Sequence, residues 1–152
     1  MVEPSPEMLP IFAGTEVKVH PNDYVIASIS PTYEAEARRC LFGLQPFSSV
    51  TFDYSEISVV LSSYEWSSLK QNFPGAKADG PYRLITFDIV LDLSLVGFLS
   101  VVSALLAENG VSIYALSTYL RDHILVRKED AHKAESLLNW LVERSKELLK
   151  KE

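Results

Sequence analysis

Residues 112–128 read SIYALSTYLRDHILVRK, two apolar or β-branched runs of strand length on either side of a short polar turn. Ser117, Thr118, Arg121, Asp122 and His123 crowd that junction. Such groups either keep the turn soluble or face something that is held by its polar ends.

Upstream, RLITFDIVLDLS (83–94) alternates, with Ile85, Phe87, Ile89, Leu91 and Leu93 on one side and Thr86, Asp88, Asp92 and Ser94 on the other. That period of two predicts a strand with one covered face. LVGFLSVVSALLAENG then places Phe98, Leu99, Val102, Leu105 and Leu106 at helical spacing, and Asn109-Gly110 supplies a left-handed stop. Downstream, Ala131, Ala134, Leu137, Leu138, Leu141 and Val142 recur at three and four, predicting an amphipathic helix from Glu129 to about Leu149. The order β-α-β-β-α is the split βαβ, ferredoxin-like arrangement without its last strand. An earlier segment or another copy must fill that edge.

The first half is less regular. Tyr24 to Ser30, Ser48 to Tyr54 and Glu56 to Ser63 read as strands, the last two joined by a tight link at Asp53 to Glu56. PTYEAEARRCLFGLQP between the first two has room for one or two helical turns. KQNFPGAKADGPY lacks an apolar period and carries Pro-Gly and Gly-Pro pairs, which puts the boundary between halves near Gly75 to Pro81. The expected fold is α+β: two ferredoxin-like modules of βαββαβ type, their antiparallel sheets covered by helices on one face, the first module reduced. The expected domains are a flexible arm over 1–14, a first module over 15–78 and a second over 79–152.

Composition narrows the function. With 152 residues, 47% of them hydrophobic, the chain can bury a core, and a net charge of −6 argues against a phosphate-neutralising surface and hence against nucleic acid as a partner. A lone Cys40 forms no internal disulfide, no zinc-type spacing is present, and a cytoplasmic setting fits best. The N-terminal stretch has acids and prolines where a signal peptide would carry basic and apolar residues. Leu93 to Ala107 is interrupted by Ser94, Ser100 and Ser103 and falls short of the roughly 20 apolar residues that span a membrane.

Catalytic patterns are absent from the sequence: there is no Gly-rich phosphate loop, no HExxH and no nucleophile elbow. Asp122 and His123 are neighbours in a strand and point to opposite faces, a poor geometry for a carboxylate orienting an imidazole. Asp88 and Asp92 are too few oxygen ligands for a hard cation, so a solvated or partner-facing sheet face is the better account. Cys40 beside Arg38 and Arg39 is either an activated or an incidental thiol, and Trp66 and Trp140 are expected to pack. No enzyme, metal or cofactor is expected.

The junction gains meaning when combined with the loop after the preceding strand. Gly97 permits close approach near a helix start, whose free N–H groups suit a carboxylate, while Asp122 suits an ammonium group. A free α-amino acid carries both ends. The alternative is that Gly97 is a packing glycine, Ser117 and Thr118 end a strand, and Asp122 is a turn residue.

LLAENGVSIYALSTYLRDHILVRKEDAHKA (105–134), with its S-T-Y-x-x-D string, closely resembles the signature of ACT-domain proteins of the CASTOR type. That resemblance implies a pair of ACT modules that bind a small molecule, commonly an amino acid and arginine-like in this group, at a module or subunit interface and pass occupancy to a regulatory protein partner. The cytosolic arginine sensors of this type have four modules, so a homodimer of this chain would rebuild their arrangement. By position, Asp122 would meet the ligand's cationic part, Ser117 and Thr118 would line the pocket, and Val96, Gly97 and Phe98 would turn their backbone to the carboxylate. Ser94 stands where a hydroxyl contact is expected. Arg121, next to Asp122, departs from the pattern and would be able to screen it. The readings that compete with a sensor are a protein-docking module without a small ligand and a detached regulatory subunit of an amino-acid metabolic enzyme.

Overall fold

The computed structural model describes residues 3–151. In chain order these form α1 Leu9–Ala13, β1 Glu16–Val19, β2 Tyr24–Ile29, α2 Glu34–Cys40, β3 Ser49–Phe52, β4 Ile57–Ser62, α3 Ser63–Leu69, β5 Lys77–Asp88, α4 Phe98–Glu108, β6 Tyr114–Ser117, β7 Asp122–Arg127 and α5 Ala131–Lys150. Two units result. The central unit is Pro21–Tyr82, and the terminal unit joins residues 3–20 to residues 83–151, so the division falls inside β5.

In the terminal unit the strands lie in the order β1-β5-β7-β6. The edge that the second half leaves open is filled from the start of the chain: β1 runs antiparallel to β5, from Glu16 opposite Asp88 to Val19 opposite Ile85. Strand β1 has the sequence EVKV, and Val17 and Val19 are the residues it packs against the core. No second copy is required for this edge.

Residues 1–14, expected as a flexible arm, contain α1. Met8, Leu9 and Phe12 are buried, and the Phe12 ring stacks on Phe98 with centroids 4.7 Å apart. Their spacing puts them on one helical face, and Pro10 stands in the first turn, where a missing N–H costs nothing. Each such side chain contributes roughly 1.5–3 kcal/mol on burial. This core also holds Ile85, Phe87, Leu105, Leu106, Ile124 and Leu138.

Strand β5 stops at Asp88, short of the expected Ser94. The chain bends at Ile89, whose N–H donates to the Phe87 carbonyl at 2.9 Å, and Asp92 then sets an Asx turn: its Oδ1 accepts the Ser94 N–H at 2.8 Å and the Ser94 hydroxyl at 2.6 Å. Nor is only one face of β5 covered, since Leu84 and Thr86 are buried as well as Ile85 and Phe87. Helix α4 ends as expected, with Gly110 at φ +75° and Val111 N–H donating back to the Leu106 carbonyl. Helix α5 keeps Ala134, Leu138, Leu141 and Val142 inside but leaves Trp140 39% exposed, against expectation.

In the central unit the order is β3-β4-β2-β5, with β4 antiparallel to both of its neighbours. The Asp53–Glu56 link is the expected hairpin, closed by Asp53 N–H to the Glu56 carbonyl at 2.9 Å. The segment expected to hold the boundary between halves, near Gly75 to Pro81, belongs largely to β5, because Lys77 and Ala78 pair with Ser28 and Ala27, and the division falls just past it, between Tyr82 and Arg83. The helices are short, seven residues each in α2 and α3 against 11 in α4 and 20 in α5. Ala27, Ile29, Ile57, Val59, Leu61 and Phe73 form a separate core, on which Trp66 stacks.

Candidate functional site

Within the terminal unit, the loop after β5 and the β6–β7 turn enclose a cleft of about 300 Å³. The two walls are joined by Leu91 N–H donating to the Leu120 carbonyl at 2.8 Å. The turn is closed by Thr118 N–H donating to the Arg121 carbonyl at 2.9 Å, which sets Ser117 opposite Asp122 across the hairpin.

Gly97 precedes α4 with φ +104° and no capping side chain. Open space surrounds it: a Cβ built there would meet nothing within 4 Å. The packing-glycine account therefore fails, and the residue is needed for its left-handed backbone. The first backbone N–H groups of α4, at Phe98, Leu99 and Ser100, begin a helix without a side-chain acceptor, and these three residues line the cleft.

Across the cleft stands Asp122, whose Oδ1 accepts the Ser117 hydroxyl at 2.7 Å. Arg121 does not screen it. Its Nε donates to Asp88 Oδ1 at 2.9 Å, and Asp88 Oδ2 also receives Lys18 Nζ at 3.0 Å. The two cations hold the Asp88 carboxyl below the usual carboxylate range, and the Ser94 hydroxyl and N–H do the same for Asp92. Among the described residues no group of three or more His, Cys, Asp or Glu could hold a metal.

Of the residues expected to form a site, Gly97, Phe98, Ser117, Thr118 and Asp122 line this one cleft. Ser94 and Val96 do not. Ser94 is engaged by Asp92, and Val96 is 86% exposed. The Phe98 ring is buried in the core beside Phe12 and Phe87, leaving its backbone for the cleft. Sequence reasoning missed the apolar lining of Leu91, Leu95 and Leu99. Their signal was present in the Leu91, Leu93, Leu95 alternation, which continues past the end of the strand.

It also missed a hydrogen-bonded chain behind the turn. Thr118 Oγ1 donates to the Arg121 carbonyl at 3.0 Å, so it accepts from His123 Nε2 at 3.1 Å. With that nitrogen protonated in the neutral ring, His123 Nδ1 accepts from Thr86 Oγ1 at 3.0 Å, and Thr86 accepts from His20 Nε2 at 2.8 Å. Both imidazoles are pushed below their ordinary pKa, His20 by burial and then by Lys18, His123 by burial and then by His20. Asp122 and His123 face opposite ways, as a strand requires, and form no catalytic pair. In the central unit, Cys40 donates its thiol to Glu36 Oε1 at 3.0 Å.

The sequence model of the ACT domain matches residues 77–139, which run from the start of β5 into α5 and include the whole cleft. No curated protein matches. Among solved structures, a protein of unknown function from Vibrio cholerae, described as a possible transport protein, is 22% identical over 86% of this chain and 92% of its own, with a TM-score of 0.65. Aspartokinase, solved with its alpha and beta subunits, is 12% identical over 84% of this chain and 97% of its own (TM-score 0.64). The regulatory subunit of aspartate kinase from Thermus thermophilus is 12% identical over 82% and 95% (TM-score 0.60). At such identities the likeness is one of fold alone. No described helix is long and apolar enough to cross a membrane.

Proposed function

We propose that this chain is a non-catalytic regulatory protein built from two ACT modules, the central and terminal units, and that the terminal one binds a free α-amino acid. One observation carries the reading: a single cleft has the uncapped start of α4 on one side and Asp122, unpaired with Arg121, on the other. The α-carboxylate meets the N–H groups of Leu99 and Ser100, where helix dipole and donors act together. The α-ammonium meets Asp122, oriented by Ser117.

Occupancy works by population shift. The ligand draws the loop after β5 and the β6–β7 turn toward one arrangement, to the extent that it binds that arrangement better. The exposed apolar side chains of Leu93, Tyr119 and Leu120 frame the cleft and offer that arrangement to a second copy or to a regulatory partner in the cytosol. The same rim favours a second reading, in which the chain docks on a protein without any small ligand.

A thermal-shift screen against the common amino acids at millimolar concentration separates the two. A ligand at about 100 times its Kd stabilises the fold by roughly 2.7 kcal/mol. Asp122→Ala is expected to remove the shift while leaving the unliganded melting temperature nearly unchanged, since the free protein loses only an exposed hydrogen bond from Ser117 whereas the complex loses a charge-assisted contact worth roughly 1.5–3 kcal/mol as well. Retained affinity in that variant sinks the assignment of Asp122. If no amino acid shifts the wild-type protein, the docking reading stands instead.

A further inference from the structure

We propose that the ligand is a neutral α-amino acid with an aliphatic side chain, not a cationic one; this rests on the amino-acid reading above and specifies its substrate class. Polar partners in the cleft are consumed by the two ends common to every amino acid. The start of α4 takes the carboxylate and Asp122 the ammonium, with Ser117 already on one oxygen of Asp122.

Beyond those ends the walls are chiefly leucines, with Asp92, Thr118, Tyr119 and Arg121 among them. Leu91, Leu95 and Leu99 are half-buried and packed on the core, while Leu93, 69% exposed, and Leu120, 46% exposed, stand at the rim. A side chain entering there removes apolar surface from water, whereas a guanidinium or ammonium loses hydration without a dedicated acceptor. The remaining carboxylate of the lining, Asp92, is held in its own turn by Ser94 through Oδ1, which leaves Oδ2 as the one acceptor that a cationic side chain could reach. The cation of the lining, Arg121, repels a second positive charge from the same wall. The resemblance to arginine sensors predicts the opposite preference, so the two arguments can be set against each other on one protein.

The test is isothermal titration of the full chain with leucine, isoleucine, valine, methionine, arginine, lysine, aspartate and glutamate. At least one aliphatic amino acid is expected to bind tenfold or more tightly than arginine or lysine, and Leu93→Asp, at an exposed position, is expected to narrow that ratio several-fold. Arginine or lysine binding as tightly, with affinity lost in Asp92→Asn, overturns the inference and leaves the amino-acid reading intact. Aspartate or glutamate binding best, with affinity lost in Arg121→Met, does the same. Heat from none of the eight overturns the inference, and the thermal-shift screen of all the common amino acids then decides the amino-acid reading separately.

Discussion

In the central unit the chain leaves β2 through Ser30 and Pro31; in the terminal unit it leaves β5 through a loop that ends at Gly97. Both paths lead into helical backbone, yet they treat its first N–H groups in opposite ways. Ser30 Oγ accepts the Thr32 N–H at 3.2 Å, and Pro31 has no N–H to offer. Gly97 has no side chain and leaves the corresponding donors of α4 open. Similar element order thus yields one sealed helix start and one that can receive an anion, and the difference lies in two residues. A site is therefore expected in one unit rather than in both.

The largest effect should come from breaking the other contrast, that between a contiguous central unit and a terminal unit assembled from both ends of the chain. Phe12→Ala removes a ring that is 1% exposed and stacked on Phe98. It is expected to cost about 3–5 kcal/mol in chemical denaturation, the usual range for a buried Phe truncation. A cost below 1 kcal/mol would mean that residues 1–14 are the loose arm their prolines suggest.

Next in size is the pair of helix starts. Gly97→Ala forces a Cβ onto a backbone at φ +104° and should cost about 1–2 kcal/mol, although nothing crowds it. Ser30→Ala in the central unit removes a cap and should cost about 1 kcal/mol. What sharpens the comparison is the ligand: amino-acid affinity should fall in Gly97→Ala and stay unchanged in Ser30→Ala. An equal fall in both would place the site elsewhere.

The partly buried chain His20–Thr86–His123–Thr118 gives a smaller, pH-dependent term that belongs to the terminal unit. Both histidines have folded pKa values below the ordinary 6.5, so the unfolded chain binds more protons as pH falls. Stability should hold above pH 6.5 and drop below it, until the folded values are passed, by at most about 1.4 kcal/mol per pH unit for each extra proton. Urea titrations between pH 7.5 and 5 measure this, and His20→Gln should flatten the slope. A flat wild-type profile would mean that the two rings titrate as they do in water.

Much of this fold could be read from local sequence. The helices with apolar residues at three and four and the paired runs of the β6–β7 hairpin emerged where expected, because in those segments pattern and burial agree. The failures have physical causes. In α1 a short apolar face outweighed the prolines at 4, 6 and 10, the last of which costs nothing in a first turn. In β5 the alternation ran on past Asp88, but the chain bends at Ile89, whose N–H donates to the Phe87 carbonyl, and the Asp92–Ser94 turn follows, so that Leu91 and Leu95 become cleft lining. The pairing of β1 with β5 joins residues some seventy positions apart, and no local pattern encodes a partner at that distance. Of the candidate cleft, Gly97 and Asp122 could be picked out because helix starts and lone acids have direct chemical meaning, and both line it. The His20–Thr86–His123 chain was not, since it draws one residue from each of three strands' worth of sequence.

The smallest expected effect tests why Asp122 is left for a ligand at all. Arg121 adjoins it in sequence, and what draws the guanidinium away is Asp88, which also receives Lys18. These groups are partly exposed, so the ion pairs contribute little to stability and weaken in salt. Asp88→Asn should therefore leave the melting temperature almost unchanged. It should nonetheless lower amino-acid affinity, because a released Arg121 competes for the Asp122 carboxylate, and Arg121→Met added to it should restore binding. If Asp88→Asn binds as the wild type does, Arg121 is kept from Asp122 by the geometry of the turn itself, and the ion pair is a consequence of that geometry rather than its cause.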